Sequence, residues 1–272
     1  MSEVATIPRD PNVETLVRQI SSSAYLERLQ QALAHPGEAA RYVRIAITAV
    51  RKNPDLALLE DRDSVFLAIQ QCATDGLLPD GREAAMVIRR PRGVTDKRKG
   101  KAHYQPMIGG FRKICAEHGF RLEAYVVYAN DHFLEEIAPA HRVEHRPPPL
   151  GKPRGEAIGA WAVARHASWG EFIEVMDKPE IEHVRKSSSA GAGPWSEHWG
   201  EMARKTVGRR LYKTLPLGAV SEQAARIIAA DDEAYDDDDE AAVEATPAPL
   251  TREDAEEVAD SIIEAEVVRD DD

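Results

Sequence analysis

The chain has 272 residues, 43% of them hydrophobic and 30% charged, the composition of a globular protein rather than a low-complexity or membrane-embedded one. No apolar run approaches the ~18 residues of a membrane span. Met1 to Pro8 lacks the basic and apolar regions of a signal peptide, and Cys72 and Cys115 form no CxxC pair, so a cytoplasmic protein without disulfides or structural zinc is expected. The net charge of −12 is unevenly distributed: Asp231 to Asp272 carries nineteen Asp/Glu against two Arg, a balance of −17, which leaves +5 on the other 230 residues. Within that body, Arg82 to Arg121 holds eleven Lys/Arg against three acids, the electrostatic footprint of polyanion binding.

Asp10-Pro11 reads as an N-cap followed by Pro at the first helical position. Leu16, Ile20, Leu29 and Leu33 extend one helix to about His35, where Pro36-Gly37 stops it. A second helix is expected from Glu38 to Lys52. A third opens at Asp63 or Ser64 and meets Gly76 as its C-terminal cap. Past the Pro79-Asp80-Gly81 turn, Ala84 to Ile88 reads as a strand, Arg89 to Lys101 as a basic loop, and Ala102 to Gln105 as the returning strand of a hairpin. Met107 to His118 is helical by spacing. Arg121 to Tyr128, Phe133 to Ile137 and Arg142 to Arg146 suggest a meander. Ala157 to Arg165 and Glu171 to Met176 then flank a tight Ser168-Trp169-Gly170 turn. A short helix from Pro179 to Lys186, capped by Asp177, precedes a flexible linker from Ser187 to Pro194.

Glu201 to Pro216 is the most basic amphipathic segment. Ala203, Val207, Leu211 and Leu215 share one stripe, while Lys205, Arg209 and Lys213 follow at i, i+4, i+8 on roughly the opposite side, flanked by Arg204 and Arg210. Such a helix can bury one face and offer cations from the other; the alternative is an ordinary solvated face. From Asp231 onward the charge density resists compaction, so a disordered tail is expected. The fold class is α+β: N-terminal helices, central antiparallel hairpins or meander packed with helices, a basic late helix and the acidic tail. The expected divisions are 1–60, helical; 61–230, the α+β core; and 231–272, the tail.

Three segments in order resemble the RecT family of phage-type single-strand annealing recombinases. Leu77-Leu78-Pro79-Asp80-Gly81-Arg82-Glu83-Ala84 looks like that family's "GLLPDGREA" signature. Tyr104-Gln105-Pro106-Met107-Ile108-Gly109-Gly110 looks like its "Y-x-PMI-x-G" segment. Pro194-Trp195, Glu201-Met202-Ala203-Arg204-Lys205-Thr206 and Leu215-Pro216 look like its "PW…EM-x-RKT…LP" block. The similarity covers about Pro54 to Pro216. It implies binding to single-stranded DNA and to the nascent duplex, and assembly of a homo-oligomer as rings or helical filaments, with the helices of Val13 to Lys52 available for protomer contacts. It also implies cooperation with a 5′-to-3′ exonuclease. The acidic tail can recruit host replication proteins, such as a host single-strand-binding protein.

The residues suit that work. Lys/Arg contacts to phosphates supply sequence-independent affinity, and Watson–Crick pairing supplies specificity. No GxxxxGK[ST] loop for ATP phosphates occurs, so annealing without ATP, and without a cofactor or catalytic site, is expected. DNA contacts are expected on two surfaces. The first is the hairpin and following helix, with Arg89, Arg90, Arg92, Lys97, Arg98, Lys99, Lys101 and Tyr104, then Arg112 and Lys113. The second is the late helix, with Lys205, Arg209, Arg210 and Lys213. The alternative for Lys97 to Lys101 is a solvated mobile loop. For Tyr104 and Trp195 the alternatives are base stacking and core packing.

Asp80 and Glu83 have a metal reading, but Pro-Asp-Gly is first a turn. The competing function is a metal-dependent nuclease, which needs clustered carboxylates; no D-x-D, E-x-K or H-x-H set stands out in the body. The tail at −17 mimics a phosphate strand and can compete for the basic groove, or can serve only solubility and spacing.

Overall fold

A computed structural model describes residues 10–33, 36–91, 93–187, 194–236 and 242–243. The chain divides into two units, Met1–Met107 with Ala241–Asp272, and Ile108–Glu240. The fold is α+β with antiparallel sheets. Among the described residues no helix is long and apolar enough to cross a membrane.

The first unit begins with α1 (Pro11–Ile20) and α2 (Ser23–Ala32), where the sequence suggests one helix. Two serines make the break. The Ser21 and Ser22 hydroxyls donate to the Val17 and Gln19 carbonyls, each at 2.8 Å, and Ser22 Oγ then accepts from Tyr25 N to cap α2. Apolar spacing continues through this corner, so periodicity alone does not reveal it. Helix α3 (Ala39–Lys52) buries Tyr42, Ala46, Ile47 and Val50. Helix α4 (Asp63–Thr74) buries Val65, Ile69 and Cys72. The Tyr42 hydroxyl donates to the Leu77 carbonyl at 2.9 Å, tying α3 to the segment after α4.

The Pro79-Asp80-Gly81 segment is a turn held by its own acids. Asp80 Oδ1 accepts from Arg82 N and Glu83 N, both at 2.8 Å, and Glu83 Oε2 accepts from Leu78 N at 3.0 Å. Gly81 has φ of +77°, a conformation open to glycine at little cost. The turn leads into β1 (Ala84–Arg90), which pairs with β2 (Lys101–Pro106) in the register Met86↔Tyr104.

In the second unit, α5 (Ile108–Glu117) precedes β3 (Arg121–Tyr128). Strands β4 (His132–Glu136) and β5 (Arg142–Arg146) form a separate hairpin, and β3 pairs instead with β6 (Ala157–His166), itself followed by β7 (Gly170–Asp177). The expected meander is therefore interrupted after β3. Ala129 N and Asn130 N donate to the Glu156 and Arg154 carbonyls, at 2.8 and 2.9 Å, which brings the approach to β6 alongside the end of β3. Phe133 and Val143 of the β4–β5 hairpin cover Val127, Trp161 and Val163 on one sheet face.

Helix α6 (Lys178–Ser187) opens with a reciprocal cap between Asp177 and Glu180. The expected linker falls largely on residues 188–193, outside the described residues. Helices α7 (Pro194–Glu197) and α8 (Trp199–Thr214) follow. The whole stripe Ala203, Val207, Leu211 and Leu215 is buried. A Cβ on Gly208 would stand 3.3 Å from Ile108 Cδ1, and Tyr212 packs its ring 4.6 Å from that of Phe111 on α5.

Helix α9 (Leu217–Val220) and helix α10 (Glu222–Asp236) complete this unit. The acidic segment thus begins as helix, through Asp236. Beyond it only Ala242 and Val243 are described, as β8, paired with β1 opposite Arg90 and Arg89. The disorder expected for the rest of the tail concerns residues outside the described ones.

Candidate nucleic-acid interface

The cations of the β1–β2 connection sit on a short 3₁₀ turn, Lys97–Lys99, rather than a loose loop. Asp96 Oδ1 accepts from Arg98 N, and the Asp96 carboxylate takes two further bonds from the Arg98 guanidinium, at 3.2 and 2.8 Å. Those bonds hold the Asp96 carboxyl at about 2. The turn is fastened to neighbouring chain: Glu60 N donates to the Arg98 carbonyl at 2.7 Å, Lys97 pairs with Asp55 at 2.9 Å, and Lys101 pairs with Asp61 at 3.5 Å. Lys97, Arg98, Lys99 and Lys101 are all exposed.

Two residues expected with them are placed differently. Arg89 is buried, and Tyr104 is 6% exposed, inside the packed face of the hairpin. Arg90 donates to the Thr95 carbonyl at 2.9 Å. Arg92 lies outside the described residues. Trp195, the other aromatic weighed for stacking, is also buried.

Helix α8 departs further from its sequence reading. Arg209 is only 7% exposed and Asp231 1%. Arg209 Nε donates to Asp231 Oδ2 at 2.5 Å and its Nη2 to the Asp231 carbonyl at 3.0 Å. Lys213 pairs with Asp231 at 3.1 Å and also with Asp232. Arg210 is engaged by Glu174 at 2.8 Å and Glu180 at 3.2 Å. Burial lowers the Lys205 ammonium below the ordinary lysine range; the Arg209 charge adds to this and Asp231 opposes it.

Of the expected open stripe, Arg209 is thus covered by Asp231 of α10, which also holds the half-buried Lys213, correcting the reading of Arg209 as a surface cation. The cause is a second amphipathic helix: Ala224 and Ile227 are buried, and one turn further the same face carries Asp231 onto Arg209. The spacing Ala224, Ile227, Ile228, Asp231 is a helical signal, obscured by the acidic run it leads into.

The open edge of β3 shows what the sequence reading did not single out. A cavity of about 490 Å³ is lined by Tyr125, Val126 and Tyr128 of β3, Trp161 and Arg165 of β6, His145 and Pro147, Arg154, and Gly200, Glu201 and Arg204 at the start of α8. A second, of about 410 Å³, is lined by Arg112, Arg121 and residues 122–125. Tyr125 belongs to both. Arg112 of the expected set therefore lines this edge. Lys113 is half-buried one residue on.

Behind the cavity wall is a polar network. The Asp131 carboxylate accepts two bonds from Arg154, at 2.9 and 2.5 Å, one from Tyr128 N at 3.0 Å, and contacts His145 Nε2 at 2.9 Å. The Arg154 bonds, joined by those from His145 and Tyr128, hold its carboxyl well below the usual range. The Trp161 indole N–H donates to His145 Nδ1 at 3.0 Å, which places the neutral ring's proton on Nε2, toward Asp131. Arg154 also lies over the Tyr128 ring, 4.1 Å from its centroid. The signal available in sequence was alternation: Arg121, Glu123, Tyr125 and Val127 share one face of β3.

Surfaces that bind single-stranded nucleic acid combine a positively charged groove with aromatic side chains, and this groove carries arginines and aromatic rings. The RecT family model matches residues 40–248, and Protein RecT of Escherichia coli (strain K12) is 36% identical over 211 residues, covering 75% of this chain and 77% of that protein. The chain belongs to the RecT family, DNA-binding proteins of single-strand annealing recombination.

Proposed function

We propose that the chain anneals complementary single strands without ATP, as a homo-oligomer, gripping backbone phosphates through the β3-edge arginines and the exposed cations of the 97–101 turn. The observation that carries this reading is the arginine- and aromatic-lined groove along β3. Phosphate contacts there give affinity without base reading, and counterion release makes that affinity fall with salt. Base edges stay available for pairing, so the specificity belongs to the DNA and no hydrolytic step is required. Arg112, Lys113 and the turn cations act as phosphate contacts, the N-terminal helices supply protomer contacts, and a 5′-to-3′ exonuclease supplies the strands in the cytoplasm.

The test is a mixture of two complementary labelled oligonucleotides with the purified chain, with and without magnesium and without nucleotide triphosphate. Intact strands paired faster than in buffer are expected. Shortened products would assign a nuclease instead, and strands left unpaired at the buffer rate would remove the annealing reading.

A further inference from the structure

We propose that Tyr125, backed by Trp161, is a stacking platform for one unpaired base of a bound strand, and that the 490 Å³ cavity receives that nucleotide. This rests on the single-strand reading above and adds a base-contacting site to it.

Three observations converge on Tyr125. Its ring stands 5.2 Å from that of Trp161 at 28°, a stacked pair, yet Tyr125 is 40% exposed while Trp161 is 8% exposed. On the same sheet face, Val127, Trp161 and Val163 are covered by Phe133 and Val143; Tyr125 is where that cover ends. The platform is also rigid. Trp161 is fixed through His145 to Asp131, and Asp131 is clamped by Arg154, so little freedom remains to be lost when a ring stacks on it. Finally, the cavity volume lies within the roughly 300–1,000 Å³ of small-ligand sites.

The arginines around the cavity differ in availability. Arg154 is held by a carboxylate with no exposed side-chain surface and is part of the scaffold. Arg204 pairs with exposed Glu201, and Arg165 with exposed Glu171 at 2.6 Å and with Glu123 at 2.9 Å. The solvent-exposed pairs with Glu201 and Glu171 are weak, so a phosphate can take the place of either glutamate, while the half-buried Glu123 stays beside Arg165. Arg204 and Arg165 are therefore the phosphate partners of the base held at Tyr125. Stacking uses the π-face of a base and leaves its pairing edge untouched, which suits annealing, and every base has such a face.

The experiment compares binding of the full chain to an oligo-dT and to an abasic oligomer of equal length and charge, by fluorescence anisotropy. One stacked base corresponds to roughly a five- to 150-fold change in affinity. Tyr125→Leu should weaken oligo-dT binding within that range and leave the abasic oligomer unchanged, and Tyr125→Phe should restore the preference. Equal losses on both oligomers, or no loss on either, overturn the proposal. Should Tyr125→Leu fail to fold, the wild-type chain carries the test: equal affinity for the two oligomers overturns it, and preference for oligo-dT with quenching of tryptophan emission supports it. A wild-type chain that binds neither oligomer would refute the single-strand reading itself, a distinct result.

Discussion

Helix α8 and the 97–101 turn are both rich in Lys and Arg, yet their cations differ in burial and in partners. On α8, Arg209 is buried against Asp231, which also holds Lys213, whereas Arg210 is exposed and pairs with Glu174 and the exposed Glu180. On the turn, the cations stay exposed, and their partners Asp55, Asp61 and Asp96 lie at the surface or half-buried. Cation density in sequence thus has two physical meanings, and burial of the partner decides between them. A charge facing a buried carboxylate stabilises the fold; a charge facing a solvated one can exchange partners.

The largest expected effect tests the first half of that contrast. Arg209→Ala leaves Asp231 buried without its main partner and should cost about 3–5 kcal/mol, read as a lower urea midpoint. A loss below ~1 kcal/mol would mean that the pair is solvated and α8 open.

Next is Asp131→Asn, expected to cost about 1–3 kcal/mol at neutral pH by weakening the bonds to Arg154 and His145. Because the Asp131 carboxyl is lowered in the folded chain, its contribution is fully present above the unfolded aspartate value near ~3.9. It is lost as pH falls below that value toward the depressed one. The gap between wild type and variant in denaturant melts should therefore be constant above about pH 5 and close in acid; a gap that widens in acid would reverse the sign.

Replacing Lys97, Lys99 and Lys101 with Ala should change stability by less than ~1 kcal/mol while weakening single-strand binding. The slope of log affinity against log salt should become shallower by ~0.7 for each phosphate that the variant no longer neutralises. An unchanged slope would exclude the turn from the interface.

The smallest effect concerns the acidic tail, for which we propose competition with DNA for basic surface, on the ground of its −17 charge. Truncation after Asp236 keeps the Asp231 clamp and should tighten DNA binding modestly, most at low salt where screening is weakest. Truncation after Ala230 removes the clamp and should also lower stability. Equal DNA binding by full-length and Asp236-truncated chains at low salt would leave the tail as a spacer.

Most elements were legible because local chemistry announces them: the Asp10 cap, the Pro-Asp-Gly turn before β1, the tight turn between β6 and β7. The break at Ser21-Ser22 was hidden because two hydroxyl-to-carbonyl bonds, not a Gly or Pro, end α1. The position of β4–β5 was hidden because side chains remote in sequence, Asp131, His145 and Arg154, fix it. The groove was least legible. Arg121, Tyr125 and Arg165 form no run, and the conspicuous run on α8 splits: Arg204 lines the groove, whereas Arg209 is buried against Asp231.

The most direct measurement of where a single strand lies is photocrosslinking of a 5-iodouracil oligonucleotide to the full chain, followed by tryptic mapping. An adduct on the peptide from Leu122 to Arg142, at Tyr125, is expected. Adducts confined to other peptides, with Leu122 to Arg142 unmodified, would contradict a strand held along the open edge of β3.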